Sequence, residues 1–382
     1  MRHKVFVLVL SLLLTACRFG DDGSDPPRDV NPGLPPLVSI TPEDTGDGWT
    51  VSTAVAEDID AAALSAALNR IRDGEYRRVD SMVVARHGRL VAEGYFNGFG
   101  RDSLHDLRST GKSFTSALVG IAIDQGLLGV DDTASRHIPN FDGHENMSDR
   151  KREITIRHLL NMSSGLACDD WVANSPGQEE RMYDSRDWIR FVLDLPAPFT
   201  PGSVPQYCTG GVVLLGHIVS LRSGMELDAY AQAYLFDPLG IRESIWRRSP
   251  DGRATGGGGL RLKPRDAAKL GQLYLAGGEW NGTQVVPAAW VAESALPVNR
   301  LGSDGYGFLW WKRSFPHHTE VTVESFFTSG NGGNYIFVIP ALDLVVTFTA
   351  SNYNSRASDL PFDILTRHVL PAVRPGTSSS ND

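Results

Sequence analysis

Ser109 and Lys112 stand three residues apart in Leu107-Arg108-Ser109-Thr110-Gly111-Lys112-Ser113-Phe114. Residues at that spacing share a helix face, so the lysine amine can reach the serine hydroxyl. A lysine that takes the hydroxyl proton makes a nucleophile of serine without histidine, and the chemistry open to such a pair is covalent acyl transfer. The stretch lies where a polar loop passes into an apolar helix, whose unpaired N–H groups and dipole favour negative charge at Ser109. Lysine is seldom buried and is disfavoured in a first helical turn, so its presence there points to function. On spacing alone, Ser109 as a simple helix cap stays open.

Other candidates fall away on their own chemistry. Ser148-Asp149-Arg150-Lys151 repeats the spacing in a wholly polar stretch with no apolar helix behind it, and reads as a solvated loop. Gly111-Lys112-Ser113 spells the end of a phosphate-binding loop, but that motif needs glycine where Asp106 stands. The run Gly256-Gly257-Gly258-Gly259 lacks the following lysine and reads as a strand edge or tight packing. The ten histidines are scattered and His317-His318 are adjacent, so no metal site and no cofactor is expected. Net charge of −9 without a basic run gives no footprint for nucleic acid.

The elements that must hold the pair follow from periodicity. A helix apolar nearly all round is predicted from Ser109 to about Gln125, ended by Gly126. Strands are predicted over Ser81–Arg86 and Arg89–Phe96 across His87-Gly88, and over Tyr335–Ile339 and Leu344–Phe348 across Pro340–Asp343. Further helices are expected over 58–71, from Ile154, over 186–195, 212–221 and 264–275, and over 360–370. The prediction is an α+β fold: an antiparallel sheet built from both chain ends, flanked by the first and last helices, with a mainly helical inserted lobe over about 127–253. A cleft between the two lobes is the natural place for chemistry.

Arg2-His3-Lys4, an apolar run from Val5 to Leu14 and then Thr15-Ala16-Cys17 read as a secretory signal, too short to span a membrane. Leu14-Thr15-Ala16-Cys17 resembles a bacterial lipobox, which implies a lipoprotein signal over 1–16, lipid on Cys17 and a membrane anchor facing the periplasm or cell exterior. Residues 17–48, rich in Asp, Pro and Gly, are expected to be a flexible tether, 49–372 the hydrolytic domain and 373–382 a disordered tail. Of three cysteines, Cys168 and Cys208 remain in an oxidising setting and are predicted to form a disulfide; two buried free thiols are the alternative.

Pro201-Gly202-Ser203-Val204-Pro205-Gln206-Tyr207-Cys208-Thr209-Gly210-Gly211 sets a tyrosine in a loop before an apolar helix, where core packing is its ordinary role. In order along the chain, Ser109-Thr110-Gly111-Lys112, Ile156–Leu166, Tyr207-Cys208-Thr209, Phe236–Ile241 and Pro264–Lys269 resemble motifs of the class C β-lactamase, D-alanyl-D-alanine carboxypeptidase and esterase superfamily, which includes 6-aminohexanoate-dimer hydrolases. The resemblance spans about 80–350. It implies Ser109 as nucleophile and Lys112 with Tyr207 as acid/base pair, the phenol falling below its usual value of about 10 beside the lysine cation. It places oxyanion and substrate contacts at Ser109, Ser329, Gly330 and Asn331.

Two departures shift the expected substrate. Thr209 stands where the family has an asparagine that helps position the lysine, and Thr328-Ser329-Gly330 stands where β-lactamases have Lys-Thr-Gly. Without that cation, hydrolysis of a small-molecule ester or amide is expected. A β-lactamase or carboxypeptidase, or a catalytically weak peptidoglycan- or partner-binding protein, is the alternative. Trp171, Trp310 and Trp311 either shape an apolar acyl site or pack, and oligomeric state is left open.

Overall fold

The computed structural model describes residues 40–318 and 321–374. The expected signal segment, Cys17 and most of the expected tether and tail lie outside the described residues. The main sheet has nine strands: β1 Thr50–Val51, β2 Val79–Arg86, β3 Arg89–Tyr95, β4 Asn299–Leu301, β5 Asp304–Tyr306, β6 Trp311–Pro316, β7 Thr322–Gly330, β8 Asn334–Ile339 and β9 Leu344–Ala350. Their spatial order is β1-β3-β2-β9-β8-β7-β6-β5-β4, antiparallel throughout except for β1 beside β3. The two chain ends therefore meet where β2 pairs with β9. His87 (φ +50°) and Gly88 (φ +73°) make the left-handed two-residue turn that the twist of the β2–β3 hairpin favours.

Helices around the sheet include α1 Ala61–Arg72, α2 Gly111–Asp124, α3 Glu179–Tyr183, α4 Trp188–Asp194, α5 Thr209–Ser223 and α6 Pro264–Leu275. Strands β2, β8 and β9 are buried along their whole length. Alternation sends Ile336, Val338 and Val345 into one core and Phe337, Ile339 and Val346 into another. The first core is shared with α2, α5 and α6. The second is closed by Leu64, Leu68 and Ile71 of α1 and by Ile364, Leu365 and Val369 of a helical run over 360–372. The inserted helices, α3 to α5 among them, sit between α2 and α6 in the chain, so the first core is continuous from the sheet into the helical lobe.

Three boundaries differ from expectation. Residues 40–48, assigned to the tether by composition, belong to the fold. The buried guanidinium of Arg265 donates to the Glu43 carbonyl, the Thr45 hydroxyl and the Asp47 carboxylate, and pairs with Glu93. A buried guanidinium needs acceptors for its five N–H groups, and this segment supplies three. At the other end Val373, placed in the tail, is buried and bridges to Ile59. The Ser148-to-Lys151 stretch is no solvated loop: Ser148 caps a short helix, and Lys151, 1% exposed, donates to the carbonyls of Glu145 and of Leu193 in the last turn of α4.

Residues Gly111 to Ala122 of α2 are buried, which leaves no room on any side of the helix. A Cβ added at Gly120 would lie 2.3 Å from the Trp290 ring. Gly120→Ala is therefore expected to destabilise by about 1–3 kcal/mol through overpacking, despite alanine's better helix propensity. Thermal or denaturant unfolding checks this, the expected result being a lower midpoint with unchanged secondary structure.

Candidate active site

The chain reaches Ser109 through a left-handed residue, Arg108 (φ +52°), whose N–H is held by the Asp106 carboxylate at 2.9 Å. Few residues other than glycine adopt this backbone, and here it turns one 3₁₀ turn, Arg108–Thr110, directly into α2. Neither helical start uses a side-chain cap. The Ser109 Oγ instead accepts from Lys112 Nζ at 2.9 Å, which disposes of the cap reading. Lys112 is 2% exposed and also donates to the Gly257 carbonyl at 2.6 Å. That carbonyl comes from the glycine run, whose role is close packing. A Cβ at Gly257 would meet Thr209 and Val213 within 2.9 Å, and Gly258, at φ +143°, lies against the Arg108 carbonyl. Any larger residue would push the run off the Ser109 turn.

Tyr207, at the entrance to α5, is buried, and Lys112 Nζ lies 5.1 Å from its ring centroid. The loop opposite is fastened to it at four points. Cys168 and Cys208 are joined by a disulfide, with Cα atoms 5.3 Å apart. The Asp170 N–H donates to the Tyr207 carbonyl at 2.8 Å, and the Thr209 N–H donates to Asp170 Oδ2 at 2.7 Å. The Trp171 ring stacks on the Tyr207 ring at 5.4 Å and 3°. Trp311 continues the stack on Tyr207 at 5.9 Å. Trp310 does something else: it is buried against Tyr274 and Phe326. Thr209 donates its hydroxyl to Glu179, which also accepts from Tyr183.

Burial raises the Tyr207 phenol above its ordinary value; the Lys112 charge and the Ser109 hydroxyl pull it back without reversing the shift. The expectation of a lowered phenol is corrected accordingly. Desolvation of the phenolate outweighs one nearby cation, so Tyr207 is neutral at rest and suits proton relay better than the role of a standing base. Asp170 behaves likewise: burial pushes its carboxyl up to about 6, against the Lys112 charge and with Glu179 adding to the rise.

Strand β7 closes the site from the sheet side. Alternation turns Phe327 and Ser329 toward an open cavity of about 770 Å³, which Ser109, Asp170, Trp171, Tyr207, Trp311 and Asn331 also line. Thr328 faces the other way, its buried hydroxyl 3.1 Å from that of Thr110 and accepting from the Ile336 N–H. Gly330 is packed beside the Ser109 turn, where a Cβ would lie 2.2 Å from the Leu107 carbonyl. The Asn331 amide is engaged with Asn354 at 2.7 Å. Of the residues singled out by sequence, Ser109, Tyr207, Ser329 and Asn331 thus surround one cavity, with Lys112 beneath it and Gly330 behind it. Asp170, Glu179 and the Gly257 carbonyl were not foreseen; the tetraglycine run was the only local sign of the last. A separate cleft of about 440 Å³ over Asp102, Lys263 and Trp280 lies away from Ser109, and its Lys263 and Arg265 are ion-paired.

Comparison with known proteins gives one family match: residues 67–367 fit the model of the family described as Beta-lactamase. Over 258 residues the chain is 28% identical to the 6-aminohexanoate-dimer hydrolase of Paenarthrobacter ureafaciens, covering 64% of this chain and 65% of that protein. It is 30% identical over 146 residues to penicillin-binding protein 4 of Amycolatopsis lactamdurans, covering 38% of this chain and 36% of that one. The chain spans less than two thirds of the length of these curated relatives. Among solved structures, EstCE1, a hydrolase with promiscuous acyltransferase activity, superposes with a TM-score of 0.64 at 19% identity, covering 81% of this chain and 98% of that one. At that identity the likeness concerns the fold.

The disulfide closes a loop of 40 residues around the wall that carries Asp170 and Trp171. Its loss is expected to destabilise by up to about 4 kcal/mol in the chain-entropy model. Unfolding of the Cys168→Ser/Cys208→Ser protein, and of the wild type with and without reductant, checks this. Equal midpoints would show that the bridge is energetically idle.

Proposed function

The chain belongs to the Beta-lactamase family, whose members are serine hydrolases, and on that premise we propose that it cleaves an ester or amide through an acyl-enzyme on Ser109. The observation that carries this reading is the Lys112 amine on the Ser109 hydroxyl, buried on one side and opening on the other into the cavity beside Tyr207. With the Lys112 amine in its unprotonated form, Ser109 Oγ attacks the carbonyl carbon as its proton passes to that nitrogen, while an N–H kept on the Gly257 carbonyl holds it in place. The neutral Tyr207 phenol hands a proton to the departing oxygen or nitrogen and is reprotonated from Lys112. Water then attacks the acyl carbon as one of its protons passes to the Lys112 nitrogen, the Ser109–acyl bond breaks, and that proton is handed to the departing Ser109 oxygen. The N–H of Ser109 and one near Asn331 at the end of β7 are assigned to the oxyanion, which forms beside the α2 N-terminus.

An uncharged, inward-turned Thr328 supports a neutral ester or amide over a substrate recognised by its carboxylate. The basic start, apolar run and Leu14-Thr15-Ala16-Cys17, together with a disulfide, support export and a lipid anchor on Cys17.

Ser109→Ala is expected to lower kcat/KM for p-nitrophenyl acetate by at least about 1,000-fold and to abolish labelling by a fluorophosphonate. Turnover equal to wild type would sink the assignment. Cys17→Ala is expected to move the protein expressed in a bacterial host from the membrane fraction to the soluble one, and an unchanged distribution would argue against lipidation.

A further inference from the structure

We propose that Asp170 is a positioning residue of this site, the counter-charge that lets Lys112 take the Ser109 proton and pass it on; the inference rests on the reading above. Lys112 is buried and, among the described residues, forms no ion pair. The cation it becomes on accepting the Ser109 proton is therefore stabilised only by a carbonyl, a hydroxyl, the Tyr207 face and whatever field reaches it. A charge taken out of water needs such compensation.

Two carboxylates face this region. Glu179, on α3, is committed to the Thr209 and Tyr183 hydroxyls. Asp170 has one oxygen engaged by the Thr209 N–H, while its Oδ1 is buried without a hydrogen-bond partner. A buried acceptor left unpaired is costly, and such groups concentrate where a site needs their charge. This carboxyl is also held from swinging away, because the disulfide at Cys168, the bond from its own N–H to Tyr207 and the Trp171 stack fasten both its sides. The charged and titratable groups around it are Lys112 from α2, Glu179 and Tyr183 from α3, and Tyr207 at the start of α5. The Thr209 N–H and hydroxyl are given to Asp170 and Glu179, and so align those two carboxylates.

In the acylation step the proton leaves Ser109 Oγ as the Oγ–carbon bond forms, and it arrives on Lys112 Nζ. Ionised Asp170 opposes the new positive charge and neither gains nor loses a proton. Once Asp170 is protonated that support is gone. Since burial has pushed its carboxyl up to about 6, activity should rise with pH through that region.

Asp170→Asn tests this because the amide oxygen still accepts the Thr209 N–H. Its kcat/KM for p-nitrophenyl acetate should fall about 10- to 100-fold above pH 7, and the acid limb near pH 6 should vanish. Asp170→Glu should restore part of the rate together with a limb. The folded carboxyl titrates above its unfolded value, so ionisation destabilises the native state as pH rises through that interval. Asp170→Asn should therefore unfold at no lower temperature than wild type at pH 8. Wild-type turnover in Asp170→Asn, or a uniform loss with the limb unmoved, overturns the proposal. If Asp170→Asn does not fold, a limb in Asp170→Glu identical to that of wild type overturns it equally. Wild type that is neither labelled nor active at Ser109 overturns the proposed function as well, whereas labelled wild type beside an unaffected Asp170→Asn overturns this inference alone.

Discussion

Burial of the Lys112 amine against the Ser109 hydroxyl is the constraint around which the rest is arranged. Among the described residues three lysines are almost fully buried, and their partners separate them. Lys269 pairs with Asp266 at 2.8 Å, and Lys151 ties two backbone carbonyls. Both satisfy structure. Lys112 alone shares its donors between a carbonyl and a hydroxyl that lines a cavity. That arrangement is poor as a stabilising device, since burying ammonium without a carboxylate is unfavourable, and it suits a group that must gain and lose a proton.

Holding it requires closely approaching backbone on one side and a rigid wall on the other. The glycine run lets the Gly257 carbonyl reach Nζ, and the left-handed Arg108 turns the chain so that Ser109 precedes α2 without capping it. Opposite, the disulfide and the Trp171–Tyr207–Trp311 stack fix the tyrosine while leaving Trp171 57% exposed at the cavity. An exposed aromatic held flat by its neighbour offers an apolar surface to an acyl or leaving group at little entropic cost. The proposed acid/base pair and the cavity wall are thus one packed unit.

Much of the scaffold was legible in the residues. Continuous apolar runs at Tyr335–Ile339 and Leu344–Phe348 mark strands, which the fold buries along their whole length, His87-Gly88 marks the hairpin, and the all-round apolar Phe114–Ala122 marks a central helix. The misreadings share a cause. Residues 40–48 and Ser148–Lys151 are polar, and polarity alone says solvent; Arg265, and the carbonyls ending α4, make acceptors or donors of those residues inside the fold. Tyr207 was expected to lose its proton more easily because the lysine was foreseen and the extent of burial was not.

The sequence by itself determined what is local: that Ser109 and Lys112 share a helix face, that this helix is buried, and that a tyrosine loop opens a later helix. Those follow from spacing and periodicity, which need no partner from elsewhere in the chain. Only the tertiary structure decided what surrounds the pair. The Gly257 carbonyl lies 145 residues from Lys112, and Asp170 reaches the site through a loop pinned to Tyr207. The charge state of a buried group depends on desolvation and on the field of every neighbour, and those neighbours are assembled through space.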